Sequence, residues 1–121
     1  MSDVYLFLDD VRTPPPATFE WTIARTAEQA RSVMQGDVVH FASLDHDLGP
    51  CPLCDTIEER ESGIVVVTDS VACTHLRTGY DFVKWMAETE TWPLTKPTVH
   101  SANPVGRANM SSTIDRYWRA P

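Results

Sequence analysis

The sequence is poor in positive charge, in cysteine and in long apolar runs. Ten lysines and arginines stand against 17 aspartates and glutamates, for a formal net charge of -7. This balance argues against duplex DNA as a partner, because neutralising phosphates requires clustered basic side chains. No apolar run approaches the roughly 20 residues that span a bilayer, and the first residues, Met-Ser-Asp, lack the basic start of a signal peptide. We therefore expect a cytoplasmic protein without a membrane segment.

The length of the chain predicts a single domain. Its 121 residues are enough for one hydrophobic core, and a hydrophobic content of 42% is ordinary for a globular protein. Three cysteines fit poorly with a disulfide framework, above all in a reducing compartment. An odd number of cysteines does fit a metal site that a histidine completes.

Short apolar segments alternate with helical patterns along most of the chain. Residues 4–8 form an unbroken apolar run, which is typical of a strand buried on both faces. Further strands are predicted at 21–25, 38–44 and 98–101. Helical spacing follows the second, third and fourth of them, with a capping box at 26–29. This order predicts an α/β fold with a mostly parallel sheet of about four strands and flanking helices.

Chemistry-bearing residues follow three of these strands at their carboxyl ends, where open α/β sheets form their sites. These residues are Asp9 and Asp10, Asp45 to Asp47, and His100 to Asn103. Converging carboxylates repel one another unless a cation lies among them. Mg²⁺ prefers a few carboxylates plus water, so we expect Mg²⁺ or Mn²⁺ among these strand ends. The alternative is that these residues are solvated loop acids.

Residues 49–76 interrupt the α/β pattern and are interpreted as an insertion within the domain. Ile64 to Val67 are predicted to supply one strand of a small hairpin there. Cys51 and Cys54 are followed by Cys73 and His75, which together suit tetrahedral Zn²⁺ in a structural role. A redox dithiol at Cys51 and Cys54, or simply buried thiols, are the alternatives.

The order of these motifs resembles the receiver domain, a flavodoxin-like fold. Asp9 and Asp10 match its metal-binding pair, Asp45 its phosphoacceptor aspartate, and Ser101 its hydroxyl position. In detail the chain is similar to a divergent branch, the cyclic-phosphate processing receiver-like proteins. The similarity lies in LFLDDVR at 6–12, SLDHDLG at 43–49, TGYD at 78–81 and HSANPVG at 100–106. It covers most of the chain outside the insertion.

This resemblance implies a metal-dependent phosphoesterase that processes cyclic phosphates of nucleotides or RNA ends. Metal at Asp9, Asp10 and Asp45 would neutralise the phosphodiester. His46 and His100 would serve as base and acid, with Asp45 and Asp47 beside them. Oxygen atoms of the phosphate would be bound by a further set of side chains with donor groups: Arg12, Ser101, Asn103 and Arg107.

Two other functions stay open at this stage. The first is a non-catalytic receiver-like module that binds a nucleotide or a partner protein, in which His100 is a core histidine satisfied by its neighbours. The second is a phosphoacceptor signalling domain. Ordinary receivers have a lysine at the end of a fifth strand, and we find neither the strand nor the lysine, which argues against signalling.

Overall fold

The computed structural model describes residues 4–48, 55–61, 63–68 and 76–120, with backbone alone for 55–60 and 63–68. Nine elements follow one another along these residues. They are β1 (Val4–Leu8), β2 (Trp21–Ala24), α1 (Ala27–Gly36), β3 (Val39–Leu44), β4 (Asp55–Arg60), β5 (Gly63–Thr68), α2 (Gly79–Thr89), β6 (Thr98–Val99) and α3 (Pro104–Tyr117).

A four-stranded parallel sheet forms the centre of the fold, as the sequence predicts. Its strand order is β2-β1-β3-β6, and each neighbouring pair is parallel. This order matches the first four strands of the flavodoxin-like arrangement. The last strand is shorter than the predicted 98–101, since only Thr98 and Val99 pair with β3.

Each helix begins with a side chain that caps its free backbone amides. The Thr26 hydroxyl accepts from the Gln29 amide at the start of α1. Thr78 and Asp81 form a capping box at the start of α2, and Asn103 caps α3 with Pro104 in its first turn. Helix α2 therefore begins inside the TGYD motif at 78–81.

One face of the sheet carries the hydrophobic core, and all three helices contribute to it. Alternate residues of the strands, such as Leu6, Leu8 and Leu44, are fully buried there because successive side chains of a strand point to opposite faces. The buried side chains of the helices belong to the same cluster. They are Ala27, Ala30 and Met34 of α1, Phe82, Val83 and Met86 of α2, and Met110 and Ile114 of α3.

Aromatic side chains occupy the opposite face. Tyr5 and Phe7 of β1 lie beside Trp21 of β2, whose ring meets Phe7 edge-on at 5.6 Å. Phe19, from the connection before β2, stacks on Tyr5 at 3.9 Å between ring centroids. This second cluster reaches the carboxyl end of the sheet through Phe7, which is only 3% exposed.

The predicted insertion contains a two-stranded antiparallel hairpin. Strands β4 and β5 pair from Asp55 with Thr68 to Arg60 with Gly63, which confirms the strand expected at 64–67. The four residues predicted to bind zinc, Cys51, Cys54, Cys73 and His75, lie outside the described residues. No helix in the described ranges combines the length and apolarity needed to cross a membrane.

Candidate functional site

Three parallel strands bring two carboxylates and an imidazole together at one edge of the sheet. Asp9 follows β1, Asp45 follows β3 and His100 follows β6. Each donates its backbone amide to a neighbouring strand, for example Asp45 to Leu8 at 2.9 Å and His100 to Leu44 at 2.9 Å. One potential ligand atom from each side chain lies within 4.8 Å of the other two. The parallel register therefore builds the group that the sequence pattern only suggests.

Asp9 is fully buried, yet its carboxylate is surrounded by donors. Its Oδ1 accepts the backbone amides of Val11 at 3.0 Å and Arg12 at 2.8 Å. Its Oδ2 lies 3.0 Å from Nε2 of His100. Burial raises the pKa of Asp9, but the two amides and His100 together outweigh that effect and leave the pKa below its ordinary value. Asp9 is therefore held in its charged form.

Asp45 has the opposite balance. Its Oδ1 accepts the His46 amide at 2.9 Å, and the Ser101 hydroxyl hydrogen-bonds to its carboxylate. Burial and the negative charge of Asp9 raise the pKa of Asp45, and these two effects exceed the lowering by the hydrogen bonds. The pKa of Asp45 therefore lies above its ordinary value. At 6% exposure, Asp45 is a nearly buried carboxylate whose charge is disfavoured by a neighbour of the same sign. A cation beside the two carboxylates would remove this penalty.

Both ring nitrogens of His100 and one face of its ring have partners. Its Nδ1 lies 2.7 Å from the Ser43 hydroxyl, and its Nε2 meets Asp9. The ring stacks on Phe7 with 4.7 Å between centroids and only 2° between planes. The carbonyl oxygen of His100 accepts a hydrogen bond from Nη1 of Arg12 at 3.0 Å. The contacts with Ser43, Asp9 and Phe7 therefore fix the orientation of the imidazole.

A second polar chain lies over the start of α3. Nδ1 of His46 is 2.8 Å from Oδ1 of Asp47. The side-chain amide of Asn103 donates from Nδ2 to the same oxygen at 3.3 Å. The hydrogen bond with His46 is the main reason that the pKa of Asp47 lies below its ordinary value. The His46 ring packs on Gly106, where a side-chain carbon would lie 2.8 Å from Nδ1 and closer still to its neighbours.

Several residues predicted to bind phosphate are engaged within the protein. Arg12 holds the His100 carbonyl and lies 3.8 Å from Asp9. Ser101 accepts the Asn103 amide at 3.1 Å. Asn103 itself accepts the Gly106 amide at 3.0 Å. These contacts order the edge of the sheet, and phosphate binding by these residues stays a prediction.

Asp10 and Arg107 lie beside this group without being part of it. Asp10 is half-buried, and the cluster of potential ligands in the described ranges contains Asp9, Asp45 and His100 instead. Arg107 is exposed in the first turn of α3, where its amide donates to the Asn103 carbonyl. The roles predicted for Asp10 in metal binding and Arg107 in phosphate binding stay predictions.

Sequence reasoning missed three contributors to the site. Ser43 is the first residue of the SLDHDLG motif, but nothing in that motif shows that it meets His100. Arg25 donates to the backbone carbonyls of Asp9 at 3.1 Å and Arg12 at 2.7 Å. Gly79 donates its amide to the His46 carbonyl at 2.9 Å. Only the alternation along β3, which puts Ser43 on the aromatic face, hinted at any of them.

Both lysines of the chain form ion pairs with residues outside the group of Asp9, Asp45 and His100. Lys84 pairs with Asp81 at 3.5 Å, and Lys96 pairs with Asp115 at 2.5 Å. No lysine therefore occupies the position that contacts the phosphoryl group in ordinary receivers. The expectation that the chain is not a receiver of the usual signalling kind stays a prediction with this observation in its favour.

The fold and the acidic edge together define a receiver-like α/β domain. The family model for the cyclic-phosphate processing receiver domain matches residues 4–116. The chain therefore belongs to this family, as the sequence motifs predict. No curated protein and no solved structure matches the chain.

Proposed function

We propose that the protein is a metal-dependent phosphoesterase that opens cyclic phosphates of nucleotides or RNA ends. The observation that carries this proposal is the convergence of Asp9, Asp45 and His100. Two buried carboxylates, one of them with a raised pKa, form a donor set that a divalent cation satisfies. The family name, which refers to cyclic phosphates, supports this substrate class.

The donor set suits Mg²⁺ or Mn²⁺, and the imidazole nitrogen of His100 favours Mn²⁺. Two carboxylates and one imidazole leave positions for water and for phosphate oxygens. When bound, the cation would neutralise the phosphodiester and stabilise the charge that develops on it. Asp9, Asp45 and His100 are the residues that would hold it, with Asp10 as the other predicted ligand. The role of general acid that the sequence motifs imply for His100 stays a prediction.

His46 is the residue best placed to move a proton. Asp47 fixes its Nδ1, which leaves Nε2 for proton transfer, and the Gly106 backbone supports the ring. In the proposed reaction His46 removes a proton from water as the new phosphorus–oxygen bond forms. The phosphorus–oxygen bond to one sugar oxygen breaks, and that oxygen takes a proton from solvent. Asp47 stabilises the imidazolium that results.

The other sequence-based expectations complete this proposal. Cys51, Cys54, Cys73 and His75 would hold a structural Zn²⁺ in the insertion. Arg12, Ser101, Asn103 and Arg107 would contact the substrate phosphate once it displaces their present partners. The substrate is a small nucleotide or an RNA end, the setting is the cytoplasm, and a partner protein is a further expectation.

A panel of 2′,3′-cyclic and 3′,5′-cyclic nucleotides, assayed with Mg²⁺ and with Mn²⁺, tests the proposal. The wild type is expected to turn over at least one of them only with metal. Asp45→Asn and His46→Asn are expected to lose at least about 10²-fold in rate. Asp37→Asn and His40→Asn make the same chemical changes away from the edge of the sheet and serve as controls with unchanged rates.

The second candidate function is a non-catalytic module that binds a nucleotide. The observation in its favour is that His100 is already satisfied by Ser43, Asp9 and Phe7, as a structural histidine would be. This function predicts nucleotide binding without turnover, and binding that survives His46→Asn. Metal-dependent turnover in the wild type would rule it out.

A further inference from the structure

Ser43 contacts the group formed by Asp9, Asp45 and His100 through the ring of His100. Its hydroxyl is 2.7 Å from Nδ1 of His100, although the two residues are 57 positions apart in the chain. Ser43 lies on the aromatic face of β3, next to the end of the short strand β6, with Thr98 as its register partner. Each nitrogen of the imidazole therefore has one partner, Ser43 at Nδ1 and Asp9 at Nε2.

The two partners differ in what they can do. A carboxylate accepts hydrogen bonds, so at 3.0 Å from Oδ2 of Asp9 the Nε2 atom of His100 carries the shared proton. A neutral ring then has its lone pair on Nδ1, and the Ser43 hydroxyl donates to it. A serine hydroxyl can equally accept a hydrogen bond, because its proton rotates freely about the Cβ–Oγ bond.

A cation held by Asp9, Asp45 and His100 would need the other tautomer of the His100 imidazole. To become a ligand, Nε2 must offer its lone pair, and the ring proton must then lie on Nδ1. Histidines that bind metals in proteins usually donate this other ring proton to a fixed acceptor, which orients the ring. Ser43 is in place to be that acceptor without any movement of the backbone.

We propose that Ser43 is a positioning residue that lets His100 change tautomer when a cation binds. Without a cation, the hydroxyl donates to Nδ1 and the ring donates to Asp9. With a cation, the ring donates to the hydroxyl, and Nε2 and Asp9 both face the ion. One proton leaves Nε2 and one is gained at Nδ1, so the ring stays neutral. This inference rests on the metal site of the proposed function but is independent of catalysis.

Two measurements on the full chain test this inference. The first is the pattern of ¹⁵N shifts of the His100 ring in metal-free protein, which distinguishes the two tautomers of a neutral ring. The proton is expected on Nε2 in the wild type. A ring proton found on Nδ1 would overturn the proposal, since Ser43 would then accept in both states.

The second measurement is calorimetric titration with Mn²⁺ alone. Ser43→Ala is expected to weaken Mn²⁺ binding about 10- to 100-fold, as the loss of a partner to a metal-binding histidine typically does. Ser43→Thr keeps a hydroxyl and is expected to restore most of the affinity. Ser112→Ala, at an exposed position of α3, makes the same chemical change and is expected to leave the affinity unchanged.

The outcomes separate this inference from the proposed function. Equal Mn²⁺ affinity in the wild type and Ser43→Ala would overturn the role of Ser43 and leave the phosphoesterase proposal standing. Absence of Mn²⁺ binding to the wild type would overturn both. If the variants change Mn²⁺ affinity as expected but no cyclic nucleotide is turned over, the role of Ser43 is supported. Only the phosphoesterase proposal is then contradicted.

Discussion

The imidazole of His46 packs directly on the backbone of Gly106, in the first turn of α3. A side-chain carbon at position 106 would overlap the ring, with Nδ1 among the atoms closer than 3.0 Å. Helix α3 thus supports the histidine proposed to transfer a proton, and only glycine leaves enough room. The HSANPVG motif therefore shapes the site through its last residue as well as through its polar ones.

Gly106→Ala is expected to displace the His46 ring while keeping the fold. Alanine favours a helix over glycine by about 1 kcal/mol, which offsets part of the cost of the overlap. We expect a loss of at least about 10-fold in turnover and a changed NMR signal of the His46 ring, with little change in Tm. Gly36→Ala is the control, because no heavy atom lies within 4 Å of the added carbon. An unmoved His46 signal would contradict this account.

Asp45→Asn is expected to stabilise the metal-free protein at neutral pH. The folded state holds the pKa of Asp45 above its ordinary value through burial and the charge of Asp9, so the ionised side chain destabilises the fold. Removing the charge is expected to raise Tm by roughly 2–4 °C, the effect of about 0.5–1 kcal/mol. Thermal unfolding without metal measures this change. A lower Tm for Asp45→Asn than for the wild type would contradict the prediction that the charge of Asp45 destabilises the folded state.

The effect of Asp45→Asn on stability should depend on pH with a definite sign. As pH falls from neutral through the raised folded-state pKa of Asp45 towards the ordinary aspartate pKa of about 3.9, the wild-type side chain takes up its proton. The wild type then loses its disadvantage, and the difference in free energy of unfolding should shrink towards zero. Added Mn²⁺ should reverse the order at neutral pH, stabilising the wild type more than Asp45→Asn.

Asp9→Asn is expected to have the opposite effect. The folded-state pKa of Asp9 is lowered, so its charge contributes stability above the ordinary pKa near 4, and this contribution is lost as pH falls through the folded pKa. We expect a loss of about 1.5–3 kcal/mol at neutral pH, the usual range for hydrogen bonds to a buried charge. Urea unfolding at pH 7 and at about pH 3 checks this, and the deficit should be smaller at the lower pH.

Thr78→Ala is expected to weaken α2 and loosen the site beneath it. The Thr78 hydroxyl accepts the Asp81 amide at 3.0 Å, and the Asp81 carboxylate accepts the Thr78 amide at 3.2 Å. Loss of such a cap costs about 1 kcal/mol. The next residue, Gly79, binds the His46 carbonyl, so Mn²⁺ affinity should fall as well. Thr113→Ala, at a half-buried position of α3 away from the N-terminus of α2, is the matched change and should affect neither quantity.

Local patterns were sufficient for the elements of the fold. The apolar run at 4–8 predicted β1 because a strand buried on both faces needs no polar alternation. The capping box at 26–29 marked the start of α1 because its side chains satisfy amides within the first turn. The end of β6 was placed less well, since the sequence cannot show how many residues pair with β3.

The candidate site was predicted in outline from strand ends. Asp9, Asp45 and His100 follow strands whose carboxyl ends must meet in a parallel sheet, so their proximity was foreseeable. The closer approach of Asp9 than of Asp10 to Asp45 and His100 was not, because the position of each carboxylate depends on the turn after β1. A role of Asp10 in metal binding stays a prediction. The zinc ligands lie outside the described residues and stay a prediction.

The sequence by itself determined the family, the order of the elements and the residue types at the edge of the sheet, because these depend on periodicity and on motifs of a few residues. Tertiary structure decided how those residues are paired. Ser43 meets His100, and His46 meets Gly106, through strand register and helix packing across more than 50 positions of the chain. Such contacts depend on distances set by the whole fold, and no local pattern records them.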